Sequence, residues 1–497
     1  MYGKVTGAVL SGIDVLPVSV EVDISDGLPC MEMVGFLSTE VKESKERIRT
    51  ALKNTGVSIP AKRITVSLAP SNIKKTGSGL DLPIAFAIMN ALGIIDSETV
   101  ENSMVVGELH LDGRVTKVSG VLPVVVYARA NRMKMCVVPE ENASEAALIE
   151  DMRVFSISDL RSVITGMKEV EHNPDGKVKR PDYEYDLSDI CGQEGLKRAC
   201  EIAVGGMHNF LMIGPPGAGK TMMAKRIPSI LPDLLEDERV EVSKIYSVSG
   251  LMEGADSLIG TRPFRSPHHT ISYAGMTGGG VNPRPGEVSL AHKGVLFLDE
   301  LPEFSPSTLE VLRQPLEDKK ITVSRVGYSV EYPSDILLVC AMNPCKCGYY
   351  PSDRCTCQRS AVLKYMGRIS KPLLDRIDII VRAQAISFTE LYGGREEESS
   401  ETVRRRVTKL HELQCERYEG LGFHYNSQIP PKYLDRFCKL KGAAKIYMER
   451  AFESFSLTAR GYHRILKVAR TIADMDSCAE IGRDHLMEAV SYREESL

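Results

Sequence analysis

The chain has 497 residues, 43% of them hydrophobic and 26% charged, with a net charge of −4, a globular composition sufficient for about three domains. So small a net charge excludes nucleic-acid binding by bulk charge and leaves only a local patch for that role. No apolar run approaches the ~20 residues that cross a bilayer, so no membrane partner is expected.

Met1–Val15 lacks the basic start and apolar centre of a signal peptide. Without an export signal, the twelve cysteines read as thiols or metal ligands in a reducing compartment, and the expected location is cytoplasmic. Residues 1–167 mix strand-like stretches (Val18–Ile24, Arg63–Leu68, Met135–Val138) with helical ones. Ser38 to Gly56 reads as a helix, capped by Ser38 or Thr39 and stopped by Gly56. Residues 168–186 turn polar around Asn173-Pro174-Asp175-Gly176 and the basic run Lys177–Arg180, the composition of a linker. Residues 187–385 alternate strand, loop and helix, which predicts a parallel sheet covered by helices, an α/β fold. Residues 386–497 are charge-rich and helical in period, as in Glu401–Tyr418 and Gly461–Met475, and read as an all-α lid. No internal repeat is evident.

Within the third stretch, the apolar run Asn209–Ile213 leads into Gly214-Pro215-Pro216-Gly217-Ala218-Gly219-Lys220-Thr221, a full match to G-x-x-x-x-G-K-[ST]. Such glycines let backbone N–H groups converge on phosphate oxygens, and the following helix offers its positive end. Lys220 is expected to reach the β- and γ-phosphates of ATP and the Thr221 hydroxyl to bind Mg2+; Pro228 is expected to end or kink the helix. Val295–Leu298, continuous in apolar residues, reads as a strand buried on both faces and ends in Asp299-Glu300. Asp299 suits a Mg2+ role through its water shell, and Glu300 suits polarising the attacking water. A third strand, Ile336–Ala341, ends near Asn343, whose amide suits orienting that water.

These motifs and spacings resemble AAA+ ATPases of the magnesium-chelatase type, most closely the YifB/ComM branch, over nearly the whole chain. Asp189–Gln193 is similar to the segment packed near adenine. Phe264–His269 and Pro285–His292 are similar to the family's insert. Leu373–Asp378 resembles the arginine-finger segment, which makes Arg376 the finger, and Ala459-Arg460-Gly461 resembles sensor 2, while Asn343 corresponds to sensor 1. The resemblance implies a homo-hexameric ring that converts ATP hydrolysis into movement along single-stranded or branched DNA. The implied function is a helicase or branch-migration factor in recombination or uptake of DNA. A magnesium-chelatase motor subunit and a degenerate Lon-like protease are the alternatives. Residues 1–167 resemble the Lon-protease fold (ribosomal S5 domain 2-like, α+β). Lys75–Gly79 is similar to the nucleophile loop, and Gly107–Leu109 with Asp112–Val115 to the following strand pair. The nucleophile position falls at Gly79 and the catalytic lysine position at Leu122, so the Ser–Lys dyad is absent. A shift of register would offer Ser78 with Lys75 or Lys117 instead. A binding or assembly module is expected.

Three further features stand apart. The Gly/Pro-rich insert carries Arg262, Phe264, Arg265, His268, His269, Tyr273 and Arg284, which suit either phosphate contact and stacking or packing on a neighbouring subunit. Ile321–Tyr332 alternates as a hairpin; in related ring motors such a hairpin enters the pore, making Arg325, with Arg265, a candidate for DNA contact. Cys345-x-Cys347 and Cys355-x-Cys357 could close a tetrahedral structural zinc site or remain reduced thiols of a surface loop.

Overall fold

The computed structural model describes residues 1–172, 183–252, 255, 257–280, 283–325, 328–385 and 397–494. The first region is built on an eight-stranded mixed sheet. Its spatial order is Lys168–Glu169, Val154–Ile157, Met135–Pro139, Ser103–Val105, Tyr2–Ser11, Asp14–Ser25, Arg63–Ala69 and Cys30–Val34. Period-two alternation fixes which face is core: Val18, Val20, Val22 and Ile24 are buried and the residues between them are not. Thr39–Asn54 forms the expected helix, with Ser38 Oγ accepting from the N–H of Val41 at 3.4 Å. Its buried residues Val41, Ser44, Ile48, Ala51 and Leu52 lie on one face. The helix Asp81–Ala91 shows no such alternation and is buried along its whole length, as its nearly unbroken apolar sequence requires. Lys168 and Glu169, which composition placed in the linker, pair with Ser156 and Phe155 at the edge of the sheet. Asn173–Asp175 and the basic run lie outside the described residues.

The second region carries a five-stranded sheet ordered Phe264–Arg265, Val295–Leu298, Leu337–Met342, Phe210–Ile213 and Ile379–Arg382, every pair parallel. Helices cover it, so the three central strands are buried throughout and read as continuous apolar runs. The helix Lys220–Ile230 follows the P-loop, contains Pro228 and stops two residues beyond it. Lys320–Arg325 and Tyr328–Pro333 form the expected antiparallel hairpin.

Helices Ser400–Arg417, Pro431–Phe437, Gly442–Ser454, Ala459–Met475 and Arg483–Glu494 make up the third region. They share one core with the second: Val403, Val407, Ile465 and Ile472 pack in the same cluster as Leu196, Met223 and Phe210. Arg464 adds a partly buried ion pair to Asp378 at 3.1 Å, and against the desolvation that raises its pKa the opposed charges hold that carboxylate well below its usual range. The first region docks at two places. At the end of helix Glu236–Val248, the Ser247 carbonyl accepts from Gly120 N–H at 3.1 Å, and the Ser247 hydroxyl accepts from Leu122 N–H at 3.3 Å. The Ser247 carbonyl, which also accepts from the N–H of Gly250 at 3.0 Å, thereby ties the last turn of the helix to the first region. The turn Gly12–Ile13 packs on the hairpin, with Ile13 against its apolar core.

Candidate nucleotide site

The parallel sheet brings the loops after three strands to one edge, and five of the sequence-selected residues meet there. Gly217 and Gly219 adopt φ of +78° and +81°, which turns the loop back toward the strand and starts the helix at Lys220. The Lys220 ammonium donates to the carbonyls of Gly214 at 2.7 Å and Pro215 at 2.9 Å, and to Asn343 Oδ1 at 3.1 Å. Burial lowers its pKa, with the Asp299 charge opposing the shift. Thr221 Oγ1 donates to Asp299 Oδ2 at 2.7 Å, so the hydroxyl and carboxylate suited to Mg2+ already face each other. Asp299 Oδ1 accepts the N–H of Glu300 at 2.9 Å. Glu300 itself has φ of +52°, a left-handed conformation that turns the chain straight after the strand.

Beside these groups lies a cleft of ≈ 430 Å³ lined by Glu300, Glu303, Asn343, Lys346, Tyr365 and Arg368. Burial pushes the Tyr365 phenol up to about 12, so it stays neutral at physiological pH. His269 Nδ1 stands 3.6 Å from Glu300 Oε2. Neither Tyr365 nor this histidine–glutamate approach has a motif to announce it, because both arise from how the insert and a later helix fold over the strand ends.

Arg376 and Arg460 lie elsewhere. Asn209, the residue before the P-loop strand, donates its side-chain amide to the Arg376 carbonyl at 2.8 Å. The P-loop follows the other end of that four-residue strand, so Arg376 sits roughly 13 Å away across the sheet. Its buried guanidinium pairs with Glu317 Oε1 at 2.6 Å and donates to the Pro372 carbonyl at 2.5 Å. Arg460 reaches the same Glu317 oxygen at 3.1 Å, beside a cleft of ≈ 380 Å³ lined by Asp375, Phe455, Leu457 and Arg493 among others. Thus the two arginines form a second cluster. Arg460, which the resemblance makes a sensor, joins Arg376 there and not Lys220.

The insert is held by its own pairs. Arg262 is buried, with its guanidinium on the carbonyls of Pro232, Lys293 and Asp233, on Tyr425 and on Glu238 at 2.9 Å. Breaking such a buried pair typically costs about 3–5 kcal/mol, so Arg262 is a structural residue. Arg265 makes two bonds to Glu287, at 2.6 and 2.7 Å. His268 and Tyr273 are exposed, as is Arg284. The backbone of Arg325 pairs with Tyr328, and its side chain lies outside the described residues.

In the first region Gly79 offers no side chain and Leu122 is fully buried. The Ser78 hydroxyl donates to Glu108 Oε2 at 2.5 Å, whereas the buried Lys75 ammonium donates to the Pro70 carbonyl. Both are therefore engaged with other groups.

Phosphate-loop lysine, hydroxyl–carboxylate pair and amide at the carboxyl ends of parallel strands together define a nucleotide site of the AAA+ P-loop class. The chain matches family models described as magnesium chelatase, subunit ChlI (residues 186–391), subunit ChlI of Mg-chelatase (residues 20–142) and magnesium chelatase, subunit ChlI C-terminal (residues 397–493). It is 41% identical to an uncharacterized protein, YifB, of Escherichia coli strain K12, covering 97% of this chain and 95% of that protein. To competence protein ComM of Haemophilus influenzae it is 38% identical, again over 97% and 95%. A weaker similarity, 27% over 40% of this chain and 34% of the other, links it to Lon protease 2 of Bacillus subtilis. The chain belongs to the magnesium-chelatase-like YifB/ComM family, whose AAA+ character points to ATPase activity using ATP and Mg2+. Among the described residues no helix is long and apolar enough to cross a membrane.

Proposed function

We propose that the protein is the subunit of a homo-hexameric ATPase ring that moves along DNA in the cytoplasm, as a helicase or branch-migration motor in recombination or uptake of DNA. The observation that carries the ATPase half is the meeting of Lys220, Thr221, Asp299 and Asn343 at one edge of the sheet. Mg2+ would supply charge neutralisation of the phosphates when bound. Lys220 would exchange its carbonyl partners for phosphate oxygens, and Asp299 would hold Thr221 in place for the metal. Glu300 would take up the proton of the attacking water, and Asn343 would orient that water. Arg376 and Arg460 would act on nucleotide bound by the next subunit, since their cluster lies across the sheet from Lys220 of their own chain.

The DNA half rests on kinship with a competence protein and on the hairpin that ends near Arg325. Arg265 would have to leave Glu287 to serve DNA, which makes Arg325 the better candidate. We also propose that the first region is a Lon-like binding module without protease chemistry, because Gly79 and Leu122 stand where the dyad would be. A magnesium-chelatase motor is the second reading, favoured by the descriptions of all three family models.

ATP turnover measured with no DNA, single strands, duplex and four-way junctions separates these. Stimulation by at least one DNA form, with no ATP-dependent degradation of casein, is the expected result. Turnover indifferent to every DNA form would favour the chelatase reading, and casein degradation lost in Ser78→Ala would favour the protease.

A further inference from the structure

We propose that Cys345, Cys347, Cys355 and Cys357 hold one structural zinc ion, and that this ion braces the nucleotide site. The four sulfurs all lie within 4.8 Å of one another. Three of their separations are 3.3, 3.8 and 3.7 Å, for the pairs 345–347, 345–355 and 347–355. A tetrahedron of thiolates around zinc, with Zn–S bonds of ~2.3 Å, has edges of ~3.8 Å. A disulfide would bring two sulfurs to about 2.05 Å, and all four cysteines are free thiols. The set is too tight to enclose a cluster of several irons, which leaves a single tetrahedral ion, and four thiolates suit zinc in that geometry.

Each cysteine pair is one residue shorter than the common C-x-x-C, and tight turns make up the difference. Gly348 donates to the Cys345 carbonyl at 3.0 Å and Cys355 to that of Ser352 at 2.9 Å. With all four ligands from the protein, such an ion has no open position and its role is structural.

Placement gives the ion its consequence. Cys345 is fully buried two residues after Asn343, the acceptor of the Lys220 ammonium. Gly348, at φ +87°, lies against the P-loop so closely that a Cβ there would come within 2.4 Å of Pro216 Cδ. One knuckle therefore touches both the loop that would cradle phosphate and the strand end that carries Asn343. Tying its ends with zinc fixes the two relative to each other. The bracing role rests on the nucleotide-site reading above, whereas the metal site does not.

The test uses the full chain purified with zinc supplied. Elemental analysis is expected to give about one zinc per chain, released in step with mercurial titration of four thiols, and none in a Cys347→Ser/Cys355→Ser variant. Zinc absent from the wild type, iron in its place, or zinc retained by the double variant overturns the site. Wild-type protein stripped of zinc, which keeps the test valid if the variant fails to fold, is expected to lose ATP turnover roughly tenfold or more and regain it on zinc addition. Full turnover by the stripped protein overturns the brace. Were the intact protein to hydrolyse no ATP at all, the nucleotide-site reading and the brace would fall together while the zinc count still decided the site.

Discussion

Glu300→Gln protein is expected to bind ATP and to hydrolyse it about 10²–10⁴-fold more slowly than wild type, the range a positioned general base contributes. The substitution keeps the side chain's size and leaves Lys220, Thr221 and Asp299 in their network, so the phosphate contacts survive. Lys220→Ala is expected to behave differently, losing nucleotide binding or turnover outright. Its ammonium is the group that ties the P-loop carbonyls of Gly214 and Pro215 to Asn343, and no neighbour can replace it. Nucleotide retained on a filter, read beside the rate of phosphate release, distinguishes the two defects. Wild-type hydrolysis by Glu300→Gln would remove Glu300 from the mechanism.

Arg376→Ala rings are expected to be nearly inactive and to regain activity when mixed with Lys220→Ala subunits. A guanidinium is always charged and presents a planar fork of donors, which suits the charge spread over a transferring phosphoryl group. Such a finger contributes on the order of 10³–10⁵ in rate. Within its own chain Arg376 is buried on Glu317, with its Nε lacking a partner, so reaching a neighbour's nucleotide requires the side chain to swing off that carboxylate. Mixed rings contain interfaces that pair an intact P-loop with an intact arginine, and partial recovery follows from that arithmetic. The competing explanation is that Arg376 only holds Glu317 and the fold, in which case Arg376→Ala lowers the melting temperature and mixing restores nothing. Full activity of Arg376→Ala rings alone would also end the trans assignment.

Much of the nucleotide site was legible because its signals are local. The P-loop spacing fixes a strand, a turn and a helix within twelve residues, and the runs Val295–Leu298 and Leu337–Met342 declare buried parallel strands by having no polar alternation. Parallel pairing then delivers Asp299 and Asn343 to Lys220 without further instruction. What was not legible depends on long-range packing. Arg262 suited phosphate contact or packing on a neighbouring subunit, yet it is buried because Glu238 and Tyr425, 24 and 163 residues away, close around it. Arg265 likewise finds Glu287, on a short helix of the same insert. No periodicity signals that Arg376 and Arg460, 84 residues apart, share one oxygen of Glu317. The edge strand Lys168–Glu169 escaped notice because two polar residues carry no strand pattern and are held only by pairing with Ser156 and Phe155.

Movement along DNA driven by ATP can be read with a labelled four-way junction. Wild-type protein with ATP and Mg2+ is expected to convert the junction to duplex products or separate its strands, while Glu300→Gln, carrying bound ATP, leaves it intact. Wild-type protein that hydrolyses ATP briskly yet leaves junctions, forks and partial duplexes unchanged would not be a DNA motor.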